Sequence, residues 1–373
     1  MEFRKLGRTG LDVSVIGLGT EYLNGQPRET VVSVVHEAVD RGVNYIDLLF
    51  PFPEYRDSFA AALQGRRERV ILTGHLGATE KDGQYLKTRS VKKSEPFFLD
   101  LLSRLGTDHI DILFLHNFNT LKDYESITKP GGLLDLARRV QQEGKARFIG
   151  LSAHDIAVAT EAVESGVIDV LMFPVNLAGN AMPGRKELLS LCASRGVGLV
   201  AMKPFAGGKL LHKATIRLAR YQTGGESYKQ KIATQITPVH CLSYVLAQVG
   251  VSAAVPGVKD RGELLAALHT LEATGAERDY SPIISHFGQV VEGECVYCNH
   301  CLPCPAVIDI GQINRLLDTA QQGLAEGLRM AYDALPVTAS ACTECGACVE
   351  RCPFGVDVIS RMRQAIELFE AIG

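Results

Sequence analysis

Short, almost unbroken aliphatic runs recur along the first three-quarters of the chain: Val13–Thr20, Tyr45–Leu49, Val70–Leu76, Ile110–His116, Phe148–Ala153, Val170–Val175, Gly198–Phe205 and Ala253–Val258. Runs that are apolar on both alternating faces describe strands buried on both sides, as parallel strands under crossover helices are. The stretches between them carry apolar positions at helical spacing, clearest over Val31–Arg41, Pro96–Leu105 and Leu133–Glu143. Eight strand-then-helix units over roughly 270 residues predict an α/β fold, a (β/α)8 TIM barrel. A doubly wound sheet is the alternative, although it usually needs fewer strands. On a barrel the chemistry collects at strand C-termini, so the last residues of each run are the first candidates.

The pattern changes near residue 280. Glu294–Pro305 is rich in cysteine, Val307–Leu335 reads as one or two helices, a second cysteine group occupies Cys342–Pro353, and Val356–Ile372 predicts a closing helix. The chain is therefore read as a barrel over 1–280 followed by a small, mainly helical, ferredoxin-like iron-sulfur domain over 281–373.

That last assignment comes from the cysteines. Of ten, Cys192 and Cys241 lie in helix-like surroundings and are expected to be buried small residues. The N-terminal residues lack the apolar core of a signal peptide, so a cytoplasmic location is expected, where thiols stay reduced and clustered cysteines point to metal. Cys342-x2-Cys345-x2-Cys348-x3-Cys352-Pro353 has the spacing of bacterial ferredoxins, and Cys295-x2-Cys298-x2-Cys301-x2-Cys304-Pro305 repeats it one residue shorter at the end. In two-cluster proteins the fourth cysteine ligates the other cluster. Crossing them assigns Cys295, Cys298, Cys301 and Cys352 to one [4Fe-4S] cluster, and Cys342, Cys345, Cys348 and Cys304 to a second. Thiolate-bound clusters pass single electrons, so an electron relay is the simplest role and a purely structural one the blander alternative. Two zinc knuckles would use the same eight ligands.

Composition narrows the partners. Lys and Arg number 39 against 42 Asp and Glu, a slightly acidic balance that argues against nucleic acid or an anionic membrane surface. With 46% hydrophobic and 22% charged residues the chain is a folding sequence, and no apolar run of membrane-spanning length occurs. The clusters imply a reducing, oxygen-poor compartment.

Four segments taken together resemble the aldo-keto reductases: Phe3–Leu11 with Ile16-Gly-Leu-Gly-Thr20, Gly42-Val-Asn-Tyr-Ile-Asp47, Arg104–Asp111 with Leu115-His116, and Gly144–Ser152. The two cysteine groups resemble the tail of a ferredoxin-containing branch of that family. The resemblance implies carbonyl reduction with hydride from NADPH. In that chemistry a tyrosine hands a proton to the carbonyl oxygen, a lysine held by an aspartate lowers its pKa, and a histidine orients the substrate. Asp47 and His116 match the aspartate and the histidine. Counting forward from Asp47 places Phe52 at the tyrosine position. Tyr55-Arg-Asp-Ser58, which resembles the family's Tyr-Gly-x-Ser, places Tyr55 there instead. The lysine position holds His75, in Thr73-Gly74-His75, and an imidazole could itself donate a proton near neutrality. Gly19, Thr20, Ser152 and Asn176 are expected at the cofactor. Met172 and Met202 replace the usual nicotinamide contacts. Lys203-Pro-Phe-Ala-Gly-Gly-Lys209, with Gly207, Gly208 and Lys209, resembles the loop around the cofactor diphosphate. Val255-Pro-Gly-Val-Lys259 with Arg261 resembles the loop that takes the 2'-phosphate, but Ala266-Ala267 stands where the family has a Glu-Asn pair.

Three functions follow. The first is an NADP(H)-linked oxidoreductase of a small carbonyl or alcohol, with two [4Fe-4S] clusters relaying electrons to or from a partner such as a ferredoxin. The second dispenses with nicotinamide and is fed single electrons through the clusters. The third is a non-catalytic electron-transfer subunit. A flavin, which splits hydride into single electrons, is compatible with the basic loops, although no flavin motif occurs. Leu48–Glu54, Phe118–Pro130 and Gln222–Gln235 are the loops expected to set specificity.

Overall fold

The computed structural model describes residues 1–180, 182–211, 216–217, 229–230, 235–280, 283, 293, 295, 301–320, 326–352 and 355–370. The Gln222–Gln235 loop lies almost wholly outside them, as does Cys298.

Eight strands pair in chain order: β1 (Leu18–Gly19), β2 (Tyr45–Leu48), β3 (Ile71–Leu76), β4 (Ile110–Phe118), β5 (Ala146–Ala153), β6 (Val170–Pro174), β7 (Gly198–Met202) and β8 (Val251–Val255). Every pair is parallel. Parallel bridges Ile16–Ala254 and Gly19–Gly257 join the two ends, so the sheet closes on itself as a barrel. Helices such as Arg28–Asp40, Val91–Leu105 and Leu133–Gln142 cover the outside.

Side chains alternate across each strand, and closure turns that alternation into two separate cores. Tyr45, Ile71, Ile112, Phe114, Val170, Met172, Val200, Ala253 and Val255 face the axis and pack with Leu6 and Val13. Their neighbours Ile46, Leu48, Leu72, Leu113, Leu115, Leu171 and Leu199 face outward into the layer beneath the helices. Gly150 sits opposite Phe114, where a Cβ would lie 2.5 Å from the phenyl ring, so that position on β5 has to stay bare.

The first apolar run, Val13–Thr20, is divided. Asp12–Ser14 pairs antiparallel with Phe3–Lys5, and only Leu18–Gly19 joins the barrel. Arg4 pins this hairpin across the barrel floor by donating to the carbonyls of Leu246 and Val251 at 2.9 and 3.0 Å, and Leu6 and Val13 plug the interior from below. The run Gly198–Phe205 ends early, at Met202. Lys203, Ala206, Gly207 and Gly208 all take positive φ (55°, 48°, 70° and 88°), which coils the chain into a loop above the barrel. The Pro96–Leu105 helix starts earlier, at Val91.

A further hairpin, Ala78–Lys81 paired with Gln84–Lys87, stands on the rim after β3. Its two-residue turn is Asp82-Gly83, with φ of 54° and 76°, the positive angles that a type I′ turn requires.

The C-terminal segment has its own core. Ile308, Ile313, Leu317, Tyr332, Val356, Met362 and Phe369 pack together from helices Ile310–Ala320, Glu326–Asp333 and Val358–Ala365 and the turn after the last. The stretch Val307–Leu335 thus contains two helices, with 321–325 outside the described residues. Asp318 pairs with Arg361 at 2.5 Å and reaches Lys209 of the barrel at 3.7 Å. Among the described residues, no helix is long and apolar enough to cross a membrane.

The floor plug yields a test. Leu6→Ala should leave a cavity at the barrel base and cost about 2–5 kcal/mol. A lowered thermal unfolding midpoint, with cluster absorbance unchanged, would show it. An unchanged midpoint would mean the plug contributes nothing.

Candidate active site and cysteine-lined cavity

Asp47, His75 and His116 end three consecutive strands. Each lies two residues past an axis-facing side chain, after Tyr45, Thr73 and Phe114, so strand alternation alone brings them to one rim. They line an open cleft of about 840 Å³ together with Gly19, Thr20, Ser152, His154, Met172, Met202, Lys203, Gly207 and Gly208.

The polar wall of the cleft is a connected line. His75 Nε2 lies 2.8 Å from Asp47 Oδ1, which also accepts from Thr73 Oγ1 at 2.5 Å. His75 Nδ1 lies 3.0 Å from His116 Nδ1, with the two rings edge to face. His116 Nε2 is hydrogen-bonded to the hydroxyl of Tyr85, which comes from the Asp-Gly hairpin. Burial, and then its neighbours His75, Lys87, Arg89 and His154, hold the His116 pKa well below the ordinary histidine value, so the ring is neutral at pH 7. Arg89 ties the hairpin to the barrel, donating to the carbonyls of His116 and Asn117 at 2.8 and 2.7 Å.

On the other wall, Lys203 Nζ lies 2.9 Å from His154 Nε2. An ammonium can only donate, so that nitrogen is the acceptor and His154 is neutral. Burial, then Lys203 and Lys87, also hold the His154 pKa well below the ordinary value. Ser152 Oγ accepts from the amide of Asn117 at 2.8 Å.

Other expected site residues lie elsewhere. The Tyr55 hydroxyl bonds Thr20 and receives the Leu49 amide at 3.3 Å; it is packed inside the barrel wall and does not line the cleft. Burial pushes its phenol well above the usual range, the opposite of what a proton-donating tyrosine needs. Phe52 stacks on Phe50 beside it. Asn176 braces the loop from beneath, donating to the Lys203 carbonyl at 3.1 Å and accepting from Gly179 at 2.9 Å. Lys259 pairs with Glu263 and Arg261 with Glu37 on the rim after β8, outside the cleft lining. Lys209 faces Asp318.

Tyr85 was not anticipated. Its signal is the Lys81-Asp-Gly-Gln84 turn between alternating residues, a hairpin signature that returns the chain over the strand ends.

Cys301, Cys304, Cys342, Cys345 and Cys348 all line one pocket. Among the described residues no three His, Cys, Asp or Glu converge to hold a single ion. Five cysteines from the two sequence groups border a space instead, which suits a polynuclear cluster. Burial, then the neighbouring Cys342 and Cys345, push the Cys348 thiol up. Arg351, next to Cys352 in sequence, donates to the carbonyls of Cys301 and Pro303 at 3.0 and 2.7 Å, which ties the second cysteine group to the first. Cys192 and Cys241 are buried, and burial pushes the Cys192 thiol up to about 12.

Residues 15–286 match the aldo/keto reductase family, and residues 293–356 match the 4Fe-4S dicluster domain. Similar curated proteins include L-galactose dehydrogenase of Arabidopsis thaliana, 27% identical over 75% of this chain and 92% of that protein. The uncharacterised oxidoreductase YqkF of Bacillus subtilis is 29% identical over 74% and 92%. The NADH-specific methylglyoxal reductase of Escherichia coli is 26% identical over 55% and 68%. Among solved structures, an aldo-keto reductase of Bacillus halodurans superposes with a TM-score of 0.63 at 24% identity, over 78% of this chain and 98% of that one, a likeness of fold.

The two depressed histidines set a pH dependence. Below the ordinary histidine value of about 6.5, the unfolded chain takes up protons that buried His116 and His154 do not, so stability rises with pH through that window. The barrel's unfolding midpoint, read by tyrosine fluorescence, should fall between pH 7.5 and 5.5. The fall should be shallower in His154→Gln; an equal slope in that variant would contradict the assignment.

Proposed function

The chain belongs to the aldo/keto reductase family and carries a 4Fe-4S dicluster domain behind its barrel, and from that premise we propose an NADP(H)-linked oxidoreductase of small carbonyl or alcohol compounds, with electrons relayed through two [4Fe-4S] clusters. One observation carries the reading. A single cleft joins the Asp47–His75–His116 wall to the Lys203–Gly208 loop, so a proton-handling cluster faces a cation and two bare glycines across the same space.

The residues suit the cofactor. Gly207 and Gly208, both at positive φ, let the backbone approach a diphosphate closely, and Lys203 supplies charge. Lys259 and Arg261 would meet a 2'-phosphate at the rim. Bound NADPH supplies hydride to the carbonyl carbon. Met172, Met202, Phe205 and Val255 make the cleft floor apolar and thin out water around the reacting carbon. His75 and His116 present imidazoles to the substrate oxygen, while Asp47, braced by Thr73, holds His75 in place. The relatives that act on L-galactose and methylglyoxal support a small polar substrate.

In the C-terminal domain, Cys304 with Cys342, Cys345 and Cys348 would hold one cluster, and Cys295, Cys298, Cys301 and Cys352 the other. Cys345 is exposed, which favours that cluster as the exit toward a partner such as a ferredoxin. Met172 and Met202 in the cleft favour the second reading, in which electrons enter singly and nicotinamide is not used.

Anaerobically purified protein should contain about eight iron atoms per chain, falling to about four in Cys304→Ala. NADPH should bind saturably at micromolar concentration, followed by nicotinamide fluorescence, and more tightly than NADH. Absence of binding up to millimolar NADPH would remove the nicotinamide reading and leave the single-electron one. Unchanged iron in the variant would remove Cys304 from the ligand set.

A further inference from the structure

We propose that Tyr85 is the far end of a proton relay serving the cleft, a positioning residue that acts through His116 and His75. The proposal deepens the carbonyl–alcohol reading and rests on it.

The direction of the line follows from donor and acceptor counting. As a carboxylate, Asp47 accepts from Thr73 Oγ1 and also across its 2.8 Å contact with His75, where the hydrogen is on Nε2. In the proposed relay His75 is the neutral imidazole with one N–H, so its Nδ1 is an acceptor. The hydrogen between the two Nδ1 atoms, 3.0 Å apart, therefore belongs to His116. His116 keeps a lone pair on Nε2, and the Tyr85 hydroxyl donates to it. All three bonds point from Tyr85 toward Asp47, and both nitrogens of both rings are used.

The place of Tyr85 is built into the fold. Its hairpin turns at Asp82-Gly83 and returns over the strand ends, Phe50 meets its ring edge to face at 5.8 Å, and the side chain is buried. It does not line the cleft. The groups that face His116 are Tyr85, His75, Lys87, Arg89 and His154. Of these, Tyr85 is the one that is hydrogen-bonded to Nε2 and carries a hydrogen that can leave without creating a cation.

The step balances. Bound NADPH would supply hydride to the carbonyl carbon. The substrate oxygen, taking the place of Asp47 at His75 Nε2, takes that hydrogen, His75 Nδ1 takes the hydrogen of His116 Nδ1, and His116 Nε2 takes that of Tyr85. One O–H bond forms on the product and one breaks on Tyr85. Both imidazoles stay neutral in the opposite tautomer, and the phenolate recovers a proton from water. In alcohol oxidation the shifts run backward and hydride passes to NADP+. The relay explains how a chain with Phe52 and His75 at the family's tyrosine and lysine positions still has a tyrosine proton to deliver.

The test uses the full chain, anaerobic and with clusters oxidised, labelled with 15N-histidine and assigned with His→Gln variants. His116 should show the Nδ1–H tautomer and His75 the Nε2–H tautomer. In Tyr85→Phe, which keeps the ring, His116 Nε2 should move to the shift of an unbonded acceptor. NADPH-dependent reduction of a carbonyl panel should lose about 10²-fold in kcat, the low end for a lost general acid, with KM and the NADPH dissociation constant unchanged. A His116 Nε2–H tautomer, an unmoved His116 signal in the variant, or full kcat would each overturn the relay. Failure to bind NADPH would overturn the cofactor reading instead, and the tautomers would still decide the direction of the line.

Discussion

Eight strands hydrogen-bonded edge to edge around a ring leave no choice about which side chains face the axis. Once Tyr45, Ile71 and Phe114 fill the interior, the residues two or four places further along the same strands, Asp47, Thr73, His75 and His116, must also point inward, above the apolar plug. The packed interior closes the barrel from below, so polar side chains at that level can only line a cleft open at the top. Position, not affinity among the polar groups, brings them together; their hydrogen bonds then settle the details.

Those details respond to burial. His116 lies against His75, with Lys87 and Arg89 nearby, and burial and these neighbours all disfavour its charged form. The same logic keeps Tyr55 out of proton chemistry. Its hydroxyl is satisfied inside the wall by Thr20 and Leu49, and burial outweighs the help those bonds would give a phenolate. A tyrosine from a different element, the rim hairpin, stands at the end of the polar line.

The C-terminal domain obeys another constraint. It is small, and its apolar core of Ile308, Tyr332, Met362 and Phe369 packs directly against its cysteines. Cysteines distant in sequence are thereby drawn to one cavity, Cys301 and Cys304 beside Cys342, Cys345 and Cys348. Its Asp318 meets both Arg361 and Lys209, which places the cysteine domain next to the loop that borders the cleft.

Much of this was legible along the chain. Period and length of the apolar runs predicted eight parallel strands, because burial on both faces demands unbroken aliphatic sequence. Strand-end positions marked Asp47, His75 and His116, since alternation is a local property. Cysteine spacing marked the two groups of the dicluster domain for the same reason. What the sequence left open was decided by contacts between distant segments. The split of Val13–Thr20 depended on Arg4 reaching the carbonyls of residues 246 and 251. The choice between Phe52 and Tyr55 dissolved when both packed into the wall, and the engagement of Lys259 and Arg261 by Glu263 and Glu37 is settled by neighbouring side chains on the rim. Tyr85 reaches His116 only because a two-residue turn folds the hairpin back over β4. A run of residues encodes its own period, but which side chain completes another's hydrogen bond is known only when the chain has brought them together.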